Sequence, residues 1–175
     1  TYISDPVIYA AFPGGTIRFS NASRPVTTAG SETYLRMKFF EKVEIYLGYV
    51  FTDARKKYDT VNTAMSLNAR NKISTVITYE PHPAWMLGLE SSYIGVQYTD
   101  DHEKHPGYLI LAAMISYRLK SWRFLLNGEN LLDFRQREIQ TMASISSGNP
   151  AFDQLWAPVD GRVINLSATF SFGKK

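Results

Sequence analysis

From Arg162 to Phe172 the chain alternates between apolar and polar residues with one position out of step. Ile164, Leu166, Ala168, Phe170 and Phe172 share one parity. Asn165, Ser167, Thr169 and Ser171 share the other, and only Val163 breaks the pattern. Successive side chains on a strand point to opposite faces, so this is a ribbon with one apolar and one hydroxyl- and amide-bearing face. A soluble sheet resting on a core shows the same alternation. Recurrence narrows the choice, because ribbons of much the same length fill most of the chain.

Taken in order, Thr1 to Phe12 is rich in β-formers, Pro13-Gly14-Gly15 signals a turn, and Thr16 begins a return strand. Asn21 to Gly30 reads as irregular. Thr33, Leu35, Met37 and Phe39 then oppose Glu32, Tyr34, Arg36 and Lys38, and Val43, Ile45, Leu47, Tyr49 and Phe51 oppose Glu44, Tyr46, Gly48, Val50 and Thr52. Further strands are predicted over Met65–Tyr79, Trp85–Tyr98, Tyr108–Leu119 and Trp122–Asp133. Tight turns at 41–42, 81–83 and 120–121 alternate with longer polar loops at 53–64, 99–106 and 137–161.

Soluble strands run to about five or six residues, and these are longer. Long strands joined alternately by short turns and long loops are the habit of outer-membrane barrels. The predicted fold is all-β, an antiparallel up-and-down transmembrane β-barrel, and the chain supplies about eight of its strands. The longest apolar run, Tyr108 to Ile115, falls far short of the ~20 residues of a spanning helix. Spanning strands leave mean hydropathy low, and here it is −0.20.

Composition excludes several classes of function. The absence of Cys removes disulfides and thiolate metal sites. A net charge of +3, scattered along the chain, does not argue for nucleic acid. Neither a nucleophile–base pair nor a phosphate-cradling glycine loop is present, so no enzyme, no metal site and no cofactor is expected. The chain starts at Thr1 without a leader and reads as a piece of something longer or a processed product.

The string Glu129-Asn130-Leu131-Leu132-Asp133, followed by a long loop, Gly161-Arg162 and a strand ending on Phe172, resembles the C-terminal end of TonB-dependent outer-membrane receptors. Tyr49 to Arg55, Asn71 to Ser74, Tyr93 to Tyr98 and Pro106 to Tyr108 resemble further strand phrases of that family, in its order. Asn21 through Gly30 to Glu32 resembles a segment further back. The likeness covers nearly the whole chain, and Gly173-Lys174-Lys175 beyond the final aromatic departs from it.

The resemblance implies the last third of a 22-stranded plugged barrel in the outer membrane of a Gram-negative bacterium. Residues 1–175 would be the C-terminal part of that barrel domain. The N-terminal plug, the remaining strands and the TonB-contacting segment would lie upstream. The implied partners are outer-membrane lipid, those missing parts, the TonB complex and a small-molecule nutrient such as a ferric siderophore.

Candidate sites follow. Arg36, Glu44, Glu90, Arg118, Arg123 and Glu129 oppose the apolar parity and are expected to face the lumen. Tyr46, Tyr79, Trp85, Tyr98, Tyr117 and Trp122 near strand ends are expected in the aromatic girdles. Phe170 and Phe172 mark the last strand. Arg55, Lys56 and Lys57 could attract an anionic ferric chelate or lipopolysaccharide phosphates, or simply form a solvated loop. His102 and His105, with Asp100, Asp101 and Glu103, could suggest a metal site but read rather as a charged extracellular loop open to ligand, and Trp156 could stack on a ligand or pack its own loop. Two rival readings are a complete eight-stranded outer-membrane barrel with a structural or adhesive role, and a soluble lipocalin-like barrel. In the second, Glu90 and Arg123 would face solvent.

Overall fold

A computed structural model describes residues 1–12, 15–146 and 149–172. Fourteen strands occur among them: β1 (Tyr2–Ile3), β2 (Val7–Phe12), β3 (Thr16–Asn21), β4 (Val26–Phe39), β5 (Val43–Lys56), β6 (Asn71–His82), β7 (Trp85–Ile94), β8 (Gln97–Tyr98), β9 (Lys104–His105), β10 (Tyr108–Leu119), β11 (Trp122–Glu129), β12 (Ala143–Ser146), β13 (Asn149–Phe152) and β14 (Val163–Phe170). Eight form one antiparallel sheet, ordered β1-β4-β5-β6-β7-β10-β11-β14. The other six pair off as hairpins, β2 with β3, β8 with β9, and β12 with β13, all in the long connections.

Register carries the alternation across the whole sheet. Residues directly opposite share a face, and one row reads Met37, Ile45, Ile77, Leu89, Ala113, Gly128, Ile164. The row beside it, on the other face, reads Lys38, Glu44, Thr78, Gly88, Met114, Asn127, Asn165. Within the regular register of the long strands, from the short turns up to Phe51, the first face carries no charged residue. Every charge falls on the second face.

Among the described residues no second layer covers either face. Among the described residues, buried apolar side chains are confined to Ala22, Val26, Ala54, Ala69 and Trp156, while Leu166 is 77% exposed. A soluble domain buries a sheet face against another layer, and this sheet leaves both faces open. Both lateral edges are open as well. Among the described residues β14 pairs only with β11, and β4 meets only the two residues of β1 on its outer side.

The structure redraws several predicted boundaries. Val26 to Gly30, read as irregular, lies inside β4. The strand predicted from Met65 begins at Asn71, because Leu67 takes φ 55° and the segment before it folds back on β5 through an Arg55–Ala64 bridge. The strand predicted over Trp85–Tyr98 stops at Ile94, and that over Trp122–Asp133 stops at Glu129. The turn predicted at 81–83 moves on, since β6 runs through a register shift between Tyr79 and His82. Eight strands is the right number for the sheet, although the return strand at Thr16 belongs to a separate hairpin and one of the eight is only Tyr2–Ile3. The predicted turn at Pro13-Gly14 and the Gly173–Lys175 tail lie outside the described residues.

Candidate functional site

The short turns gather at one end of the sheet and the long connections at the other, where three structures are built. The first is a clasp made by the Glu129–Asp133 string. Asn130 and Asp133 both adopt left-handed backbone, φ 47° and 59°, which ends β11. The Asn130 Nδ2 donates to the carbonyls of Phe134 (2.9 Å) and Asp160 (3.2 Å), and its Oδ1 accepts from Phe134 N (3.1 Å). Asp133 Oδ1 accepts from Arg162 N at 2.9 Å, which holds its carboxyl below the usual carboxylate range, and Oδ2 pairs with Arg135 at 2.9 Å. A Cβ at position 161 would crowd that carboxylate, so Gly161 lets Asp133 approach the returning chain closely. The residues that carry the family resemblance thus close the long loop where it returns into β14.

The second structure is the interior of the 130–162 loop against the 95–107 loop. Gln136 is wholly buried. Its Oε1 accepts from Trp156 N (2.9 Å) and Ala157 N (3.2 Å), and its Nε2 donates to Gln154 O (2.8 Å). Trp156, 4% exposed, stacks on His105 at 4.5 Å and donates from Nε1 to Gln140 Oε1 at 3.0 Å. Gln97 Nε2 and the Tyr108 hydroxyl both donate to Trp156 O, at 3.0 and 3.3 Å. Trp156 therefore packs its own loop and presents no stacking face to a solute. His105, 3% exposed, has Nε2 3.1 Å from the Thr99 hydroxyl and is equally enclosed.

The third structure surrounds Asp59. Lys56, only 6% exposed, reaches its carboxylate at 3.1 Å and Ser66 Oγ at 3.2 Å, so this lysine is spent inside the loop. Val61 N and Asn62 N donate to the same carboxylate at 2.9 and 3.1 Å. Burial pushes the Asp59 carboxyl up, and these donors with Lys56 outweigh it, leaving it below the usual range. His102 Nδ1 lies 3.5 Å from Asp59, which is where that histidine belongs. Of the three predicted basic residues only Lys57 is exposed. Arg55 is half-buried, with Nε 2.8 Å from Asp53. No group of metal ligands occurs among the described residues.

On the sheet itself, Arg36, Glu44, Glu90, Arg118, Arg123 and Glu129 all share the charged face. Arg36 Nε meets Glu44 Oε1 at 2.7 Å, and Asn127 Nδ2 donates to Glu129 at 2.9 Å. Tyr79, Trp85, Tyr117 and Trp122 share the uncharged face at the turn end, where Trp85 lies 4.4 Å from Tyr117 and Trp122 4.9 Å from Phe170. Phe172 follows Phe170 at 4.7 Å. Two predicted girdle residues stand elsewhere. Tyr46 is on the charged face, stacked on Tyr34 at 5.8 Å, because its parity matches Glu44. Tyr98 has left the sheet for the β8–β9 pair, after the chain breaks at Gly95.

Solved structures that resemble the chain include three transport proteins. The ferric-catecholate import receptor Fiu of E. coli K12 matches with a TM-score of 0.63 and 18% identity over 95% of this chain. The copper transporter OprC matches with 0.70 and 16% over 98%, and P. aeruginosa FpvA, in complex with an iron-bound pyoverdine, with 0.63 and 13% over 95%. The chain shares the barrel fold of these proteins. The chain spans about a quarter of each of these proteins, 23%, 27% and 23% of their lengths. No protein-family model and no curated sequence matches it.

Sequence reasoning missed the buried amides Gln97 and Gln136, and it missed Arg70, which joins Arg55 on Asp53 at 3.0 Å. No local pattern marks these residues, because each acquires its role from a segment distant in sequence.

Proposed function

We propose that the chain is the C-terminal wall and loops of a TonB-dependent receptor that carries a scarce nutrient across the outer membrane of a Gram-negative bacterium. The carrying observation is the segregation of charge, with one face uncharged from Phe39 to Ser31 and from Val43 to Phe51 and the other bearing Arg36, Glu44, Glu90, Arg118 and Arg123. Hydrocarbon accepts the first face and a plugged, hydrated lumen accepts the second. Backbone groups on the open edges of β4 and β14 cannot remain unpaired in hydrocarbon, so in this reading each edge pairs with a strand from the rest of a larger barrel. A lipocalin-like arrangement would need the uncharged face enclosed and the charged face in water.

A ferric siderophore or similar chelate is the proposed cargo, in keeping with the iron ligands named for Fiu and FpvA, although OprC shows the same fold in a copper transporter. The plug, the TonB contact and most of the substrate surface belong to the rest of the receptor. From this chain the exposed Lys57 and the outer surfaces of the long loops would be offered to cargo.

The deciding measurement is the intact mass of the native gene product extracted from outer membranes. A mass several times 19.9 kDa is expected, followed by a growth defect of the deletion strain on a chelated metal source. A product near 19.9 kDa sinks the receptor reading.

A further inference from the structure

A cleft of about 480 Å³ opens on the uncharged face where the strands pass into the loops. It stands above the apolar band, among Arg55, Arg70, Lys104 and Asp53. Arg55 Nε and Arg70 Nη2 both hold the Asp53 carboxylate, at 2.8 and 3.0 Å. Two guanidiniums on one carboxylate leave a net positive charge, and the exposed Lys104 adds to it. The Arg70 guanidinium also lies 5.7 Å from the centroid of Phe51, the last apolar residue of β5 on that face. Next to it the Tyr49 hydroxyl donates to Asn71 Oδ1 at 2.8 Å, so this tyrosine has its ring on the apolar band and its polar end at the rim.

We propose that this cleft seats the phosphate of a phosphorylated glycolipid from the outer leaflet, with the acyl chains running down the Tyr49, Leu47 and Ile73 surface. The proposal rests on the reading of the uncharged face as the lipid-facing one. Position selects a lipid over a soluble anion. The cations stand on the side away from Arg36, Glu44 and Glu90, and through Asn71 and Tyr93 the cleft borders the apolar surface of the strands. Arginine forks suit phosphate oxygens, and Arg70, with its side chain 54% exposed, has donors to spare beyond the one on Asp53. Asp53 aligns the two forks and moderates their charge.

The test uses the full-length receptor purified from outer membranes in mild detergent, with retained glycolipid counted by native mass spectrometry. The unaltered protein is expected to retain a bis-phosphorylated glycolipid and to release its dephosphorylated form. R55Q/R70Q should weaken retention roughly tenfold or more. D53N, which frees both guanidiniums, should strengthen it. Equal retention by R55Q/R70Q, or competition by millimolar inorganic phosphate as effective as competition by the lipid, overturns the proposal. A Leu47→Trp reporter in the same protein, read by brominated-lipid quenching, separates the two levels. Quenching without glycolipid retention ends the proposal alone, while absence of quenching ends the lipid-facing reading beneath it.

Discussion

At the scale of single residues, the loop end is held by buried polar groups rather than by a hydrophobic core. Gln136 satisfies two backbone amides and one carbonyl while excluded from water, so Gln136→Ala leaves those groups without partners. A loss of about 1–3 kcal/mol of local stability is expected from each group left unpaired. Faster hydrogen exchange at Trp156 and Ala157, with the barrel strands unchanged, is the readout. Asp59 makes a pH prediction. Its folded-state pKa is depressed, so its contribution is present above the usual carboxylate range and lost as pH falls through the folded value. Protection of the Val61 and Asn62 amides, corrected for intrinsic exchange, should drop on that acid side. Asp59→Asn should abolish the step, and a step that survives the substitution assigns it to another group.

At the scale of the strand, neighbouring positions meet opposite solvents. Ile77 lies between Ile45 and Leu89, whereas Val76 lies between Tyr46 and Glu90. Ile77→Arg should cost about 2–4 kcal/mol if that face lies at mid-bilayer, and Val76→Arg should be tolerated beside Glu90. Heat-modifiable migration of the full-length receptor on gels reports folding. Equal tolerance of the two substitutions contradicts the assignment of faces. The ion pair of Arg36 and Glu44 is exposed on both sides, 73% and 34%, and deserves little weight as a source of stability.

For the whole molecule, a single-layer sheet with open faces and open edges is a wall that needs neighbours. Expressed alone in water, the chain is expected to aggregate through β4 and β14, and a monodisperse monomer by light scattering contradicts that expectation. The sequence by itself determined the long strands of the sheet, the alternation of short and long connections and the parity of Arg36, Glu44, Glu90 and Arg123. All of these follow from a side-chain period of two that any reader of the chain can follow. Strand ends were less legible, because Asn130, Asp133 and Leu67 stop or divert the backbone through left-handed conformations that other segments stabilise. Only the tertiary structure decided that Trp156 and His105 pack a loop, that Lys56 is committed to Asp59, and that Arg55 and Arg70 share Asp53. The physical reason is separation along the chain: a strand's two faces are set by adjacent residues, whereas a loop's interior and a cleft's charge are set by segments that meet only after the sheet has brought them together.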